Sequence, residues 1–224
     1  MVPLAVYRTS KPKGGLRASN YFRWMPGESE YYFMVHKPFG MVSQFVSPDN
    51  VRLLSDLDFN FPEGTHAIGR LDNHSEGLLL LTTDSRITRL LFEGRSHTRT
   101  YQVQVCGVVK NETVARLQEG ISIRVRGGAY WITTPCKVKL LLTPPLFAPP
   151  SELLIEYPPY TWLEIVLTEG KFHQVRKMVA ASGHKCRRLI RVSIEDLELQ
   201  ELPAGAVQEI SQVDFFRLLH LESV

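Results

Sequence analysis

The order of apolar and polar positions places most of the strands. Tyr31-Tyr32-Phe33-Met34-Val35-His36 is a strand-like run, stopped by Lys37-Pro38-Phe39-Gly40. Thr65 to Gly69 reads as a short strand and Leu78 to Thr82 as a buried apolar one, with a polar loop between them. Tyr101-Gln102-Val103-Gln104-Val105 alternates with period two, so Tyr101, Val103 and Val105 share one face. Tyr130-Trp131-Ile132, Val138 to Leu142 and Trp162 to Thr168 complete the predicted strands. A short helix is predicted over Ser85 to Phe92 with Ser85 as its N-cap. A second runs from Asn111, its cap, to Gln118 and ends at Gly120. A third covers Lys171 to Ser182 and is stopped by Gly183. The stretch from Thr143 to Tyr160 holds six of the fourteen prolines and reads as a long surface excursion. Strands and helices are interspersed without a strict βαβ beat, so an α+β fold with a largely antiparallel sheet is expected. No fixed-period repeat is visible.

Composition narrows the class. At 224 residues, 44% apolar and 22% charged, the chain is one ordinary globular domain, or two small ones sharing a core. Whole-chain disorder, a collagen repeat and a coiled coil are excluded. No apolar run approaches the ~18 residues that a membrane helix needs. Arg8, Lys11 and Lys13 interrupt any signal-peptide stretch at once. Three scattered cysteines, Cys106, Cys136 and Cys186, form no C-x-x-C pair, so neither a disulfide framework nor a cysteine zinc site is expected and a reducing cytoplasm is the natural home.

The net charge of +3 is unevenly placed. Residues 1–27 carry Arg8, Lys11, Lys13, Arg17 and Arg23 and no acid, leaving the body with 21 bases against 23 acids. Residues 1–28 are therefore read as a basic, flexible arm ahead of a single domain over 29–224. From Gly170 to Arg191 there are seven bases and no acid. With the arm, this patch is an electrostatic footprint for a polyanion, although a charge run alone reads as a solvated helix face.

Two motifs carry candidate chemistry. The first is Gly69-Arg70-Leu71-Asp72-Asn73-His74-Ser75-Glu76-Gly77, a polar loop between apolar strands, where catalytic groups are often held. From residue types alone, its simpler reading is a surface connection whose Asp bonds a backbone amide. The second is Glu169-Gly170-Lys171-Phe172-His173-Gln174-Val175-Arg176-Lys177-Met178. On a helical wheel Phe172, Val175 and Val179 form a stripe. Arg176 lies roughly 65° from its centre and Lys177 points away. A partly buried guanidinium needs a partner, and a carboxylate of the Asp72 loop is a candidate. The histidines show no H-E-x-x-H spacing. There is no P-loop, no dinucleotide fingerprint and no nucleophile elbow.

Gly69-Arg70-Leu71-Asp72-x-x-Ser75-x-Gly77-Leu78-Leu79-Leu80-Leu81-Thr82 closely resembles the signature of RNA pseudouridine synthases of the RsuA type. Lys37-Pro38-x-Gly40 resembles the family's opening motif, and Arg99-Thr100-Tyr101-x-Val103 its tyrosine motif with Arg in place of Lys. Gly170-Lys171-x-x-Gln174-Val175-Arg176-Lys177-Met178 resembles its third motif. Leu189, Arg191, Leu197, Leu199, Leu202 and Gly205 fit the closing pattern, so the resemblance spans about residues 31 to 211. Thr83 and Ser85 depart from the family's usual Asn and Gly, both past the acid.

The resemblance implies a pseudouridine synthase fold of two α+β halves around a cleft, and isomerisation of a flipped uridine in ribosomal RNA. It assigns catalysis to Asp72, as nucleophile at C1′ or base on the ribose. Tyr101 is implied as the stacking residue beneath the base, although core packing would equally produce its position. Arg176 is implied as the partner of Asp72, and Arg70, Lys37 and Lys171 as RNA contacts. Lys37, Lys171 and the 185–191 cluster are expected to supply affinity rather than chemistry. No cofactor or metal is required, and a cytoplasmic monomer is expected. Only about 30 residues precede the first strand, so the S4 domain of most members is expected to be absent. The short members without it act on large-subunit RNA, which tilts the target that way. A small-subunit target and a catalytically silent RNA-binding or ribosome-assembly protein are the alternatives.

Overall fold

The structure, a computed structural model, describes residues 30–93, 96–143 and 159–221. The basic arm lies outside the described residues, as does the proline-rich stretch 144–158. The strands are β1 (Tyr32–Lys37), β2 (His66–Ile68), β3 (Glu76–Thr82), β4 (Arg99–Cys106), β5 (Ser122–Arg124), β6 (Tyr130–Ile132), β7 (Lys137–Leu141), β8 (Tyr160–Leu167), β9 (Cys186–Ile194), β10 (Leu197–Glu198) and β11 (Val207–Ile210). The helices are α1 (Ile87–Glu93), α2 (Asn111–Glu119), α3 (Gln174–Ala181) and α4 (Gln212–Leu218).

One large sheet runs β11-β1-β3-β9-β4-β8-β7, with β2 added beside β3 and β10 beside β9; β5 and β6 form a separate hairpin. Every strand pair is antiparallel except β3 with β9. The expected α+β class with a mainly antiparallel sheet is thus what the chain adopts.

The apolar run of β3 follows from its place. All seven of its residues are buried, with Leu78 and Leu80 in one cluster and Leu79 and Leu81 in another on the opposite face. A third cluster, around Val103, Val105, Leu163, Ile165, Met178 and Val179, fills the other half of the molecule. The halves meet where β3 runs parallel to β9, at Glu76–Ile190 and Gly77–Arg191. Gly77 has φ 100°, and a Cβ there would stand 2.2 Å from the Arg191 carbonyl oxygen, so only glycine permits the seam. A buried bidentate pair closes it, with Arg188 Nε and Nη2 donating to the two Glu76 carboxylate oxygens at 2.7 and 2.8 Å.

Three helix starts differ from expectation. Asp84, not Ser85, accepts the Arg86 N–H ahead of α1, and Arg86 and Tyr32 also donate to its carboxylate. Asn111 is the first residue of α2 rather than its cap; Lys110 holds that place. α3 begins at Gln174 because His173 is left-handed at φ 55°. Phe172 consequently lies outside the helix and is exposed, so the buried stripe is Val175, Met178 and Val179.

Candidate active site

A cleft of about 860 Å³ opens between the halves, lined by the Asp72 loop, Tyr101 and residues 167–175. Its first wall is a pair of linked turns. Ser75 N–H donates to the Asp72 carbonyl, and Gly40 N–H to the Asn73 carbonyl, both at 2.9 Å. Ser43 bridges Leu71, donating to its carbonyl at 2.9 Å and accepting its N–H at 3.0 Å. These bonds leave the Asp72 side chain about a third exposed at the cleft. Asn73 Oδ1 and Ser75 Oγ beside it are buried without a hydrogen bond to the protein.

The second wall precedes α3. Lys171 N–H donates to Gln174 Oε1, and Gln174 N–H to the Lys171 carbonyl, a reciprocal lock on the turn. Gln174 Nε2 reaches Glu169 at 2.7 Å, and Glu169 also accepts from Trp131 Nε1 and the Thr134 N–H. Left-handed His173 turns its ring toward the first wall, where Nε2 stands 3.4 Å from Asp72 Oδ1.

Sequence-expected residues divide into those at the cleft and those behind it. Asp72, Tyr101, Arg70 and Lys171 line it, with Arg70 and Lys171 exposed. The Lys171 ammonium rests 4.0 Å from the Trp131 ring centroid. Tyr101 packs against the third cluster while bordering the cleft, so its position serves the core and the site together.

Lys37 is a correction. It is 0% exposed, and its ammonium donates to the carbonyls of Met41 (2.6 Å), Pro38 (2.9 Å) and Asn73 (3.4 Å). It cannot meet a phosphate; it ties the opening turn to the Asp72 loop. Burial pulls its pKa down to about 8 against the upward pull of the Glu76 and Asp72 carboxylates.

Arg176 is a second correction. Its guanidinium donates to the His74 carbonyl at 2.5 Å and approaches Cys186 Sγ at 3.6 Å, with no ion pair to Asp72. It binds the backbone of the loop, while the carboxylate is met by His173. His173 fell at an unspecified position of the motif, and only its left-handed backbone brings it in.

The expected 185–191 affinity cluster is also divided. Lys185 is exposed, Arg188 is committed to Glu76 and Arg191 is only 4% exposed. Arg191 borders the cleft, but its Nε is committed to the Leu78 carbonyl at 2.8 Å.

Residues 31–181 match the family described as RNA pseudouridylate synthase. A ribosomal large subunit pseudouridine synthase E from Xanthomonas axonopodis is 36% identical over 172 residues, covering 75% of this chain and 88% of that protein. A ribosomal large subunit pseudouridine synthase B from Bacillus subtilis is 30% identical, covering 85% of this chain and 72% of its own. A ribosomal small subunit pseudouridine synthase A from Haemophilus influenzae is also 30% identical, covering 86% and 75%. A crystal structure of a pseudouridylate synthase superposes with a TM-score of 0.68 at 30% identity, covering 85% of this chain and 74% of that one.

Proposed function

The chain belongs to the RNA pseudouridylate synthase family, and on that premise we propose that it converts a specific uridine of large-subunit ribosomal RNA to pseudouridine, with Asp72 as the catalytic carboxylate. The observation that carries this reading is the Asp72 side chain, held at the mouth of the cleft by a loop whose backbone is bonded on both sides. The reaction breaks the C1′–N1 bond, turns the uracil and joins C1′ to C5. One proton leaves C5 and one is gained at N1, so composition and oxidation state are unchanged.

The target uridine is flipped out of its stack into the cleft, where the Tyr101 ring offers it a face. Asp72 then acts as nucleophile at C1′ or as base on the ribose. His173 steadies its carboxylate from one side, and Arg176 and Lys37 hold the loop through its carbonyls. Arg70 and Lys171 contact the RNA backbone at the rim. No helix among the described residues is long and apolar enough to cross a membrane. We place the enzyme with its ribosomal RNA in the cytoplasm, working as a monomer.

Mapping pseudouridines in both ribosomal RNAs from cells with and without this protein tests the reading. One uridine of the large-subunit RNA loses its modification when the protein is absent. A loss confined to small-subunit RNA moves the target, a reading favoured by the Haemophilus influenzae relative. Unchanged maps in both RNAs overturn it.

A further inference from the structure

The β5–β6 hairpin is tied to the rim of the cleft through Trp131 and has a face that no described residue covers. Its register sets Ser122 opposite Ile132, Ile123 opposite Trp131 and Arg124 opposite Tyr130. Facing residues share a side of a two-stranded sheet. Ile123 is buried in the third cluster, and Trp131 on the same side leans on the cleft rim through Glu169 and Lys171. The other side therefore carries Arg124, Tyr130 and Ile132 outward. Tyr130 is 76% exposed, Ile132 72% and Trp131 40%, three consecutive large apolar side chains in water.

The hairpin is firmly mounted. Gly120, at φ 104°, would place a Cβ 2.3 Å from the Thr133 carbonyl, so its base is a close backbone contact. Ile121 N–H donates to Thr133 Oγ1, Thr133 N–H to the Ile121 carbonyl, and Val125 N–H to the Ala129 carbonyl across the tip. Its charge is one-sided. Between Gly120 and Thr143 the chain has Arg124, Arg126, Lys137 and Lys139 and no acid. Of these, Lys139 is paired with Glu164, while Arg124, opposite Tyr130, and Arg126, at the hairpin tip, are exposed. The nearby Glu169 carboxylate is already engaged by Trp131, Thr134 and Gln174.

We propose that this hairpin is a stacking platform for unpaired RNA, with Tyr130 receiving a base flanking the flipped uridine and Arg124 and Arg126 meeting its phosphates. An exposed ring beside bases without an acid is the surface that single-stranded RNA recognises through π-faces and backbone charge. The Lys171–Trp131 contact ties the hairpin's inner side to the rim lysine, so the outward Tyr130 face lies one strand pair away from the rim, where a nucleotide flanking the flipped one, not the flipped one itself, is received. The assignment of the RNA to this cleft rests on the proposed function; the platform's affinity for RNA does not.

The test is fluorescence anisotropy with a labelled twelve-nucleotide oligouridylate across a salt series. Tyr130→Ala weakens binding about tenfold, while Tyr130→Phe, which keeps the ring, stays within about twofold of the parent. Arg126→Gln lowers the log–log salt slope by about 0.7. Tyr130 is too exposed for its loss to unfold the chain, and unchanged melting of Tyr130→Ala verifies that. Equal affinity of Tyr130→Ala and parent overturns the proposal. So does sedimentation showing a dimer that Tyr130→Ala dissolves without change in RNA affinity, since a second copy is then the occupant. A parent protein that binds oligouridylate through Tyr130 yet leaves ribosomal RNA unmodified keeps the platform and removes the catalytic reading.

Discussion

The two walls of the cleft each carry a lysine from a sequence motif, and the lysines have opposite fates. Lys37 is sealed in the wall that bears Asp72, its ammonium spent on three backbone carbonyls. Lys171 stands in the open on the facing wall, over the Trp131 ring. A buried ammonium can hold a shape but cannot reach a phosphate, whereas an exposed one adds long-range attraction and little rigidity. On the proposed function, the first wall fixes one carboxylate and the second receives a flexible polyanion.

The contrast breaks most completely at the seam that positions both walls. Gly77→Ala forces a methyl into the Arg191 carbonyl at a backbone angle alanine avoids, and should cost more than about 4 kcal/mol or prevent folding. Denaturant melts of the variant would show this; a stability near the parent's would mean the seam yields. Lys37→Met comes next. It leaves the buried Met41 carbonyl without its donor at about 1–3 kcal/mol and loosens the Pro38 and Asn73 carbonyls, and should lower turnover roughly 10²-fold while leaving RNA affinity within a few-fold. Affinity falling with turnover intact would reverse the assignment of the walls.

The same lysine predicts a pH window. In the folded chain Lys37 loses its proton near pH 8, against an ordinary value of 10.5. Between these values the unfolded chain binds more protons, so stability rises with pH across the window. Urea melts should show the parent gaining up to ~3 kcal/mol relative to Lys37→Met from pH 8 to 10.5, and no gain below pH 8. The smallest effect is at the open wall. Lys171→Ala should weaken RNA binding about three- to tenfold and flatten the salt slope by roughly 0.7 to 0.9, which a titration at several salt concentrations measures.

The sequence made the strands legible where apolar residues alternate or run unbroken, as in β1, β3, β4 and β8. It hid β9, the strand that joins the halves, because Arg188 and Arg191 interrupt the pattern there. Both arginines point inward to partners on β3, a Glu76 carboxylate and a Leu78 carbonyl, and partners distant in sequence leave no local signal. The motif containing Asp72 was readable as a site, yet the roles of Lys37 and Arg176 were not. Each is a cation satisfied by backbone carbonyls, which every residue type supplies equally. His173 escaped notice for a related reason, since a helix was expected through a position whose left-handed backbone turns the ring to Asp72.

The central claim is that the first wall exists to present Asp72. Its most direct test is pseudouridine formation by purified Asp72→Asn protein on ribosomal RNA from cells lacking this enzyme, with RNA affinity measured in parallel. The account predicts binding within a few-fold of the parent and no detectable product. Appreciable turnover by Asp72→Asn would contradict it.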